Sequence, residues 1–588
     1  MTIMKKIMNV MVLLVSMTIF QCCSADDPFT DNSGTAWNNS NNMGNNSVNG
    51  GSSSASGTAS GELLTFDIAI DKTTAEPAAT ASEYFPDEED NLDNNSFATE
   101  VSIDLSNPTA KTENGVTVSV NGGHITADHG SVKSVCYVVS GSTSNGSLTI
   151  LGDKKYEVQL NGVSITNPDS AALNLLSGKR AFVVLNGTNT LADGTTSKND
   201  HKGALYCKGK LLLNGNGQLE VYGNYNNAIH SADYIVFRKG MNVYAKSVAN
   251  HGIKANDGIF INGGIVNVEV TAAAAKGINC ESDIIVNGGR TTVIATGGGT
   301  YEDGEAKGAA AIKCDSTYTQ NGGEVYLKAT GNGGKGLKTD YEAYVTDGTL
   351  RVVTTGGTYS SNRDTASPKG IKIGTKNVHG LLNISGGNIM VRTSGQGGEG
   401  IESKGTLTIS GGNVQVSAYD DGINSAGNMY LLGGNVVAVG TNNDGIDANG
   451  NMYIEGGSIV AFGAGGAESG IDTGEQYKLY ITGGQVFGIG GRIDATYTAT
   501  TDAQPYAQAT GGVSANATVT LTNGSTNLGT FTMPPYNYSN GTILVSAPGM
   551  TSGTSYTLNL GSSSQTVTAT TTSSSGGMGG GGFPGGRW

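Results

Sequence analysis

The chain has 588 residues, of which 91 are Gly and only 14% are charged. Its formal net charge of −15 argues against nucleic acid as a partner. The length admits several domains, but one repeat binds most of the chain into a single continuous core.

In chain order, Lys5 and Lys6 precede an apolar run from Ile7 to Phe20 that is too short to span a membrane comfortably. With the QCCSADD directly after it, residues 1–23 read as a secretion signal ending on cysteine, in the manner of lipoprotein signals. Cys23 is the expected lipidation site, with Cys22 next. Phe20, Gln21 and Cys22 depart from the small residues usual before such a cut, which leaves ordinary signal cleavage as the alternative. Asp26 and Asp27 resemble a surface-export tag of some Gram-negative lipoproteins. The expectation is an outer-membrane lipoprotein at the cell surface, in contact with the membrane only through its N-terminal lipid. Residues 24–60, rich in Asn, Ser and Gly, form a flexible tether. Residues 61–110 turn acidic and ordered and serve as an N-terminal cap, because the end of a stack of strands must be covered.

From 111 to 495 a pattern recurs every 22 to 34 residues: small-Gly-Ile-polar-small, a short apolar strand, Gly-Gly, and a second apolar strand. HGIKANDGIFINGGIVNVEV (251–270), EGIESKGTLTISGGNVQVSA (399–418) and DGIDANGNMYIEGGSIVAFG (444–463) are three examples. After each Gly-Gly, apolar residues alternate with others: Val266 and Val268, Val325 and Leu327, Ile389 and Val391, Val414 and Val416, Val436 and Ala438, Ile459 and Ala461. That period of two predicts one buried face and one wet face, with Asn267, Tyr326, Met390 and Gln415 outward. The Ile of the first strand is followed two residues later by a small residue in every coil but that of Ile373, which fits a narrow inward corner. Three short strands per coil, each closed by a Gly or Asn turn, give an all-β solenoid, a parallel β-helix with coils about 4.8 Å apart. The chain lacks the Leu-x-x-Leu-x-Leu frame of leucine-rich repeats, and a propeller blade needs a longer period and antiparallel hairpins.

Cys280 and Cys314 fall at the same inward position of neighbouring coils, where a buried thiol pair is the plain reading and a disulfide the alternative. Residues 496–572 lose the coil pattern and show alternating strands (ATVTLTN, GTILVSAP, TSYTLNLG, SQTVTATT), a small β-sandwich-like C-terminal cap. The tail, 573–588, is too Gly-rich to fold alone.

The stretch QLNGVSITNPDSAALNLLSGKRAFVVLNGTNTLADG (159–194), the Gly-Ile/Gly-Gly coils after it and the segment SAPGMTSGTSYTLNLG (546–561) resemble a bacterial carbohydrate-binding family. That family is a calcium-binding, polysaccharide-lyase-like right-handed β-helix that binds cellulose and polygalacturonate. The resemblance spans about residues 100–495 and implies a right-handed β-helix that binds polysaccharide, with Ca²⁺.

Outward residues beside the repeated Ile form ladders. Lys276, Lys313, Lys335, Lys338, Lys369 and Lys372 make the middle coils basic. Glu399, Glu402, Asp420, Asp421, Asp444, Asp447, Glu468 and Asp472 then make the later coils acidic; residues 373–502 hold 12 acids against 5 bases. Stacked carboxylates repel unless bridged, and Ca²⁺ accepts six to eight oxygens in irregular geometry. Glu402, Asp420, Asp421, Asp444, Asp447 and Asp472 are therefore the candidate Ca²⁺ ligands, with Asn424 and Asn443 near; a solvated charged face is the alternative. The lysines Lys335, Lys338, Lys369 and Lys372 suit an acidic glycan, or only neutralise acids such as Asp340 and Glu402. Tyr430, Tyr453 and Tyr480 stand three residues before Gly-Gly on three successive coils, with Tyr344 and Phe260 in the same slot earlier. Aromatic faces stack on sugar rings; a tyrosine stack that only stabilises, or one hidden under the cap, is the alternative. The two Trp residues, Trp37 and Trp588, lie in the tether and at the last position, so a tryptophan platform is not expected.

A lyase needs a base near the C5 proton and a cation on the uronate carboxylate, and Lys372 beside Glu402 supplies the parts. The six His residues do not cluster with Ser and Asp along the sequence, and no hydrolase triad is readable. The expectation is an exported polysaccharide-binding protein, cellulose-like or acidic in its ligand and assisted by Ca²⁺. The alternatives are a Ca²⁺-dependent uronate lyase and a structural or adhesive solenoid. The sequence leaves the oligomeric state open.

Overall fold

The structure, a computed structural model, describes residues 62–474 and 476–573. The signal, Cys23, the tether and the tail beyond 573 lie outside the described residues. Among those described there is no α-helix, only strands and two short 3-10 turns at Glu88–Asp90 and Leu92–Asn94.

The repeat builds a parallel β-solenoid with three columns of strands. The Gly-Ile strands stack in one column; Ile401, Ile423, Ile446 and Ile471 are in register, as are Ser403, Ser425, Ala448 and Thr473. The strands before Gly-Gly (Thr406–Ile409, Met429–Leu431, Met452–Ile454, Leu479–Ile481) form the second column. Those after Gly-Gly (Asn413–Ala418, Asn435–Gly440, Ser458–Phe462, Gln485–Gly490) form the third. The alternating apolar residues point inward and are buried throughout, each large one contributing about 1.5–3 kcal/mol. The second Gly of each Gly-Gly turn has a positive φ, as at Gly434 (+80°) and Gly457 (+80°), a conformation that a side chain would strain. Cys280 and Cys314 are aligned, buried and free thiols.

Parallel pairing starts earlier than position 111: Thr99–Asp104 already pairs with Val135–Thr143. The top of the Gly-Ile column is closed by antiparallel strands, Lys111–Glu113 and Val116–Asn121, over Gly123–Asp128. At the other end Tyr497 and Ala495 plug the core. Tyr538–Ser546 pairs antiparallel with the last coil strand and with Tyr506–Val513. A four-stranded sheet (Thr518–Asn523, Thr526–Thr532, Ser555–Asn559, Ser564–Thr568) completes the C-terminal cap.

The outer face of the third column is not wet as its alternation predicts. Asn267, Met390 and Gln415 are buried, and Tyr326 is half-buried. Two coverings explain this. The cap packs a second apolar core on Val437, Val439, Val460, Phe462, Phe487 and Ile489. Residues 62–97 form a strap that doubles back on the solenoid: it runs backward along the third column as far as Glu220, returns forward past Gly264 at Glu76 and Gly322 at Thr80, and runs backward again along the second column from Asn262 at Tyr84 to Arg180 at Asp90. The carbonyl of Phe66 accepts from Arg392, Asp67 pairs with Lys328 at 2.8 Å and Lys72 with Glu220 at 2.6 Å. Farther along the strap, Glu83 holds Arg238 and Asp90 holds Arg180.

Candidate functional site

The cap and the first part of the strap cover the third column, and the rest of the strap covers the second column of the early coils, which leaves the Gly-Ile face and the Tyr column to solvent in the later coils. Between them runs a corner of short turns at Gly405, Gly427 and Gly450. A Cβ at Gly450 would come within 2.5 Å of the Gly427 carbonyl carbon, so only glycine lets these turns stack this closely. Longer connections flank this stretch: 374–380 on one side and, on the other, the one that carries the exposed Tyr477.

On one side of the corner the rings of Tyr430, Tyr453 and Tyr480 lie parallel, with centroids 5.0 Å apart and planes within 7–8°. Asn428 and Asn451 each donate to the hydroxyl two residues on, at 3.3 Å. The rings are half-buried and outside the apolar core under the cap, so the cap does not hide them. Their inner faces, however, cover one another. What the column offers is a row of ring edges and hydroxyls, not three faces for sugar stacking. Phe260, higher in the slot, is covered by Tyr84 of the strap, and Tyr344 donates to Glu342.

On the other side lie the acids. One carboxylate oxygen from each of Asp444, Asp447 and Asp472 falls within 4.8 Å of the others. Asp421 and Asp444 are buried, and each uses one oxygen to accept the backbone N–H one coil below: Asp421 from Asp444 at 3.0 Å, Asp444 from Ser469 at 2.5 Å. Their other oxygens remain on the ladder, where Asn424 donates to Asp421 and Asn449 to Asp447. Burial, then repulsion from neighbouring carboxylates, pushes Asp421, Asp444 and Asp447 up to about 8. Asp472 is raised for the same reasons, burial first and then repulsion chiefly from Asp494. The donor set is oxygen only and strained by like charge, which suits a hard divalent cation such as Ca²⁺.

Glu402 does not join that cluster. It is buried against Lys369 (3.7 Å), Lys372 (3.1 Å) and Lys404. Burial alone would raise its pKa, but the three cations prevail and hold it down at about 2. A carboxylate already neutralised this way is a poor Ca²⁺ ligand. Asp420 sits at the edge, half-buried, its N–H bonded to the Gly398 carbonyl.

Most of the lysine ladder is also neutralised. Lys369 pairs with Glu399 at 2.5 Å, Lys338 with Asp340 at 3.3 Å, and Lys313 with Asp315 and Asp340. Lys372 is drawn down by burial, yet its ammonium rests on Glu402, which opposes loss of its proton. Lys276 and Lys335 differ: their amines donate to backbone carbonyls, Lys276 to Gly308 at 3.0 Å and Lys335 to Gly333 at 2.8 Å, and neither makes an ion pair among the described residues.

One cluster was missed along the sequence. His201 bonds Asp193 through Nε2 and Ser197 through Nδ1, both at 2.8 Å. The spacing Asp-x3-Ser-x3-His carries it on a single turn. Ser197 Oγ also accepts the N–H groups of His201 and Asn199, and Asp193 accepts that of Asn224. The oxygen that would attack is thus the hub of a turn, and the cluster braces a loop.

The carbohydrate-binding domain-containing protein family matches residues 112–272, 244–438 and 382–581. The chain belongs to that carbohydrate-binding family. A search of curated proteins returned no match. Among solved structures, a polysaccharide lyase-like protein from C. thermocellum, solved as a gadolinium derivative, is similar at 19% identity and a TM-score of 0.30. That match covers 49% of this chain and 96% of the other.

Proposed function

We propose that coils 399–480 bind a polysaccharide chain laid along the solenoid axis, across the corner between the aspartate cluster and the tyrosine edges. The observation that carries this reading is the three-carboxylate group of Asp444, Asp447 and Asp472 beside a ring column with a 5.0 Å repeat. That repeat is close to one sugar unit of an extended chain. A Ca²⁺ held by these aspartates, with Asp421 adjoining, would supply a positive charge for a uronate carboxylate; the tyrosine and asparagine polar groups hydrogen-bond sugar hydroxyls. Lys369 and Lys372, committed to glutamates, shape the upper end of the face and do not contact ligand. In this reading the protein is exported, lipidated at Cys23 and displayed at the cell surface.

Binding of polygalacturonate and of cellulose, each with Ca²⁺ and with chelator, tests the proposal. Retention of polygalacturonate that ignores chelator and survives Asp447→Asn would sink the cation-bridged version. A second reading, a Ca²⁺-dependent uronate lyase, is favoured by Lys335. Burial and then Lys372, Lys338, Lys276 and Lys369 draw its amine down to about 7, which suits a general base better than Lys372 does. Unsaturated product from polygalacturonate, lost in Lys335→Met, would establish it.

A further inference from the structure

Far from the aspartate corner, a cleft of about 380 Å³ opens where the strap meets the first coils. Lys133, Lys154 and Lys179 line it from three successive coils. Val135, Tyr156 and Ala181 are in register, and each of these lysines stands two residues before its strand partner, so the three lysines occupy equivalent backbone positions on successive coils. The next such position is Gly209, where a Cβ would collide with the Lys179 carbonyl oxygen, and the series stops.

The cleft holds five cations and two acids in a chain with a net charge of −15. Two of the cations are already engaged: Arg180 with Asp90 at 2.7 Å and Glu89 at 3.3 Å, and Lys155 with Glu89 at 3.2 Å. Lys133, Lys154 and Lys179 make no ion pair among the described residues. Like charges carried one coil rise apart, about 4.8 Å at the backbone, repel unless anions sit among them, and the cleft's one acid outside the Glu89 ion pairs is Asp153. The cleft is also lined by Phe97, whose ring packs on Phe182 at 5.3 Å, and by the hydroxyl-bearing Ser96 and Ser134. Volume, charge and an aromatic surface with hydroxyls together describe a small-molecule site.

We infer that this cleft is a second glycan site, independent of the aspartate corner, for a short acidic saccharide whose carboxylate or sulfate groups are held by Lys133, Lys154 and Lys179. It needs no metal, because the protein itself supplies the positive charge. Its size admits the end of a chain or a short oligomer, whereas the corner takes a chain along its length.

The test is calorimetric titration of the full-length protein, in chelator so that the aspartate corner is silent, with trigalacturonate, a sulfated disaccharide, cellotriose and inorganic sulfate. The expected result is binding of one or both acidic saccharides, weakened severalfold between about 50 and about 200 mM salt, and none of cellotriose. The triple variant Lys133→Gln/Lys154→Gln/Lys179→Gln should lose about tenfold or more in affinity, and Lys179→Gln alone serves if the triple variant melts early. Asp447→Asn should bind as the parent does, which separates failure here from failure at the corner. The inference is overturned if no acidic saccharide binds, if cellotriose binds equally, if the lysine variants bind unchanged, or if inorganic sulfate alone binds, an adventitious ion only.

Discussion

The aspartate cluster makes a quantitative prediction about pH and calcium. Asp421, Asp444 and Asp447 are ordinary carboxylates in the unfolded chain but are held at about 8 in the fold. Between the two values the folded state keeps protons that the unfolded state has lost, so without a cation stability must fall as pH rises toward 8. Each proton so retained is worth about 1.4 kcal/mol per pH unit, or roughly 2–3 kcal/mol between about pH 6 and about pH 8. Because the three groups repel one another, their titrations are coupled and the contributions do not simply add. For a chain of this length one such proton shifts the melting temperature by on the order of 2 °C. Ca²⁺ at about a hundred times its dissociation constant returns ~2.7 kcal/mol and should abolish the decline. The assay is thermal melting at both pH values in chelator and in calcium, for the parent and for Asp447→Asn. The variant should melt higher than the parent at about pH 8 in chelator and respond little to calcium. A parent whose melting does not change with pH in chelator, or a variant with an undiminished calcium response, would refute the reasoning.

Three further outcomes rest on the same geometry. Tyr453→Ala breaks two ring contacts and should cost about 1–3 kcal/mol, reduce polysaccharide affinity in a pull-down and leave the calcium melting shift intact. Glu402→Gln strands Lys372 and Lys404 and should cost about 2–3 kcal/mol by denaturant melting. That is below the ~3–5 kcal/mol of a fully enclosed pair, because Lys404 is 34% exposed; since Glu402 is held at about 2, the parent keeps this contribution above about pH 4.5 and loses it as pH falls toward 2. Gly450→Ala should cost about 1–3 kcal/mol, because its Cβ collides with backbone rather than with a movable side chain.

The solenoid was legible because inward packing is local and periodic. A residue two after Gly-Gly needs no knowledge of the rest of the chain to be recognised as core. Outward positions depend on what else comes to lie there, and that is set by segments hundreds of residues away. Gln415 and Asn267 read as wet because nothing near them in sequence announces the strap or the cap. Glu402 and Asp447 occupy the same column, two coils apart, and looked alike. Their roles diverge because Glu402 is ringed by lysines and Asp447 by carboxylates. The tyrosine column was found by spacing, but ring orientation, which decides between faces and edges, comes from the coil rise pressing the rings together. The lysines Lys133, Lys154 and Lys179 escaped notice because they precede the regular Gly-Ile coils; their signal is a lysine two residues before each of the aligned positions Val135, Tyr156 and Ala181.

The strap carries one more consequence. In a bare solenoid each coil touches only its neighbours, so the end coils loosen independently and disorder spreads inward one step at a time. Residues 62–97 are bonded to coils as far apart as Arg392 and Arg180. No coil beneath the strap can open without stretching a segment still fastened to distant ones. The array should therefore exchange its amide hydrogens as one block across the strapped length, with an abrupt change in protection where the strap ends.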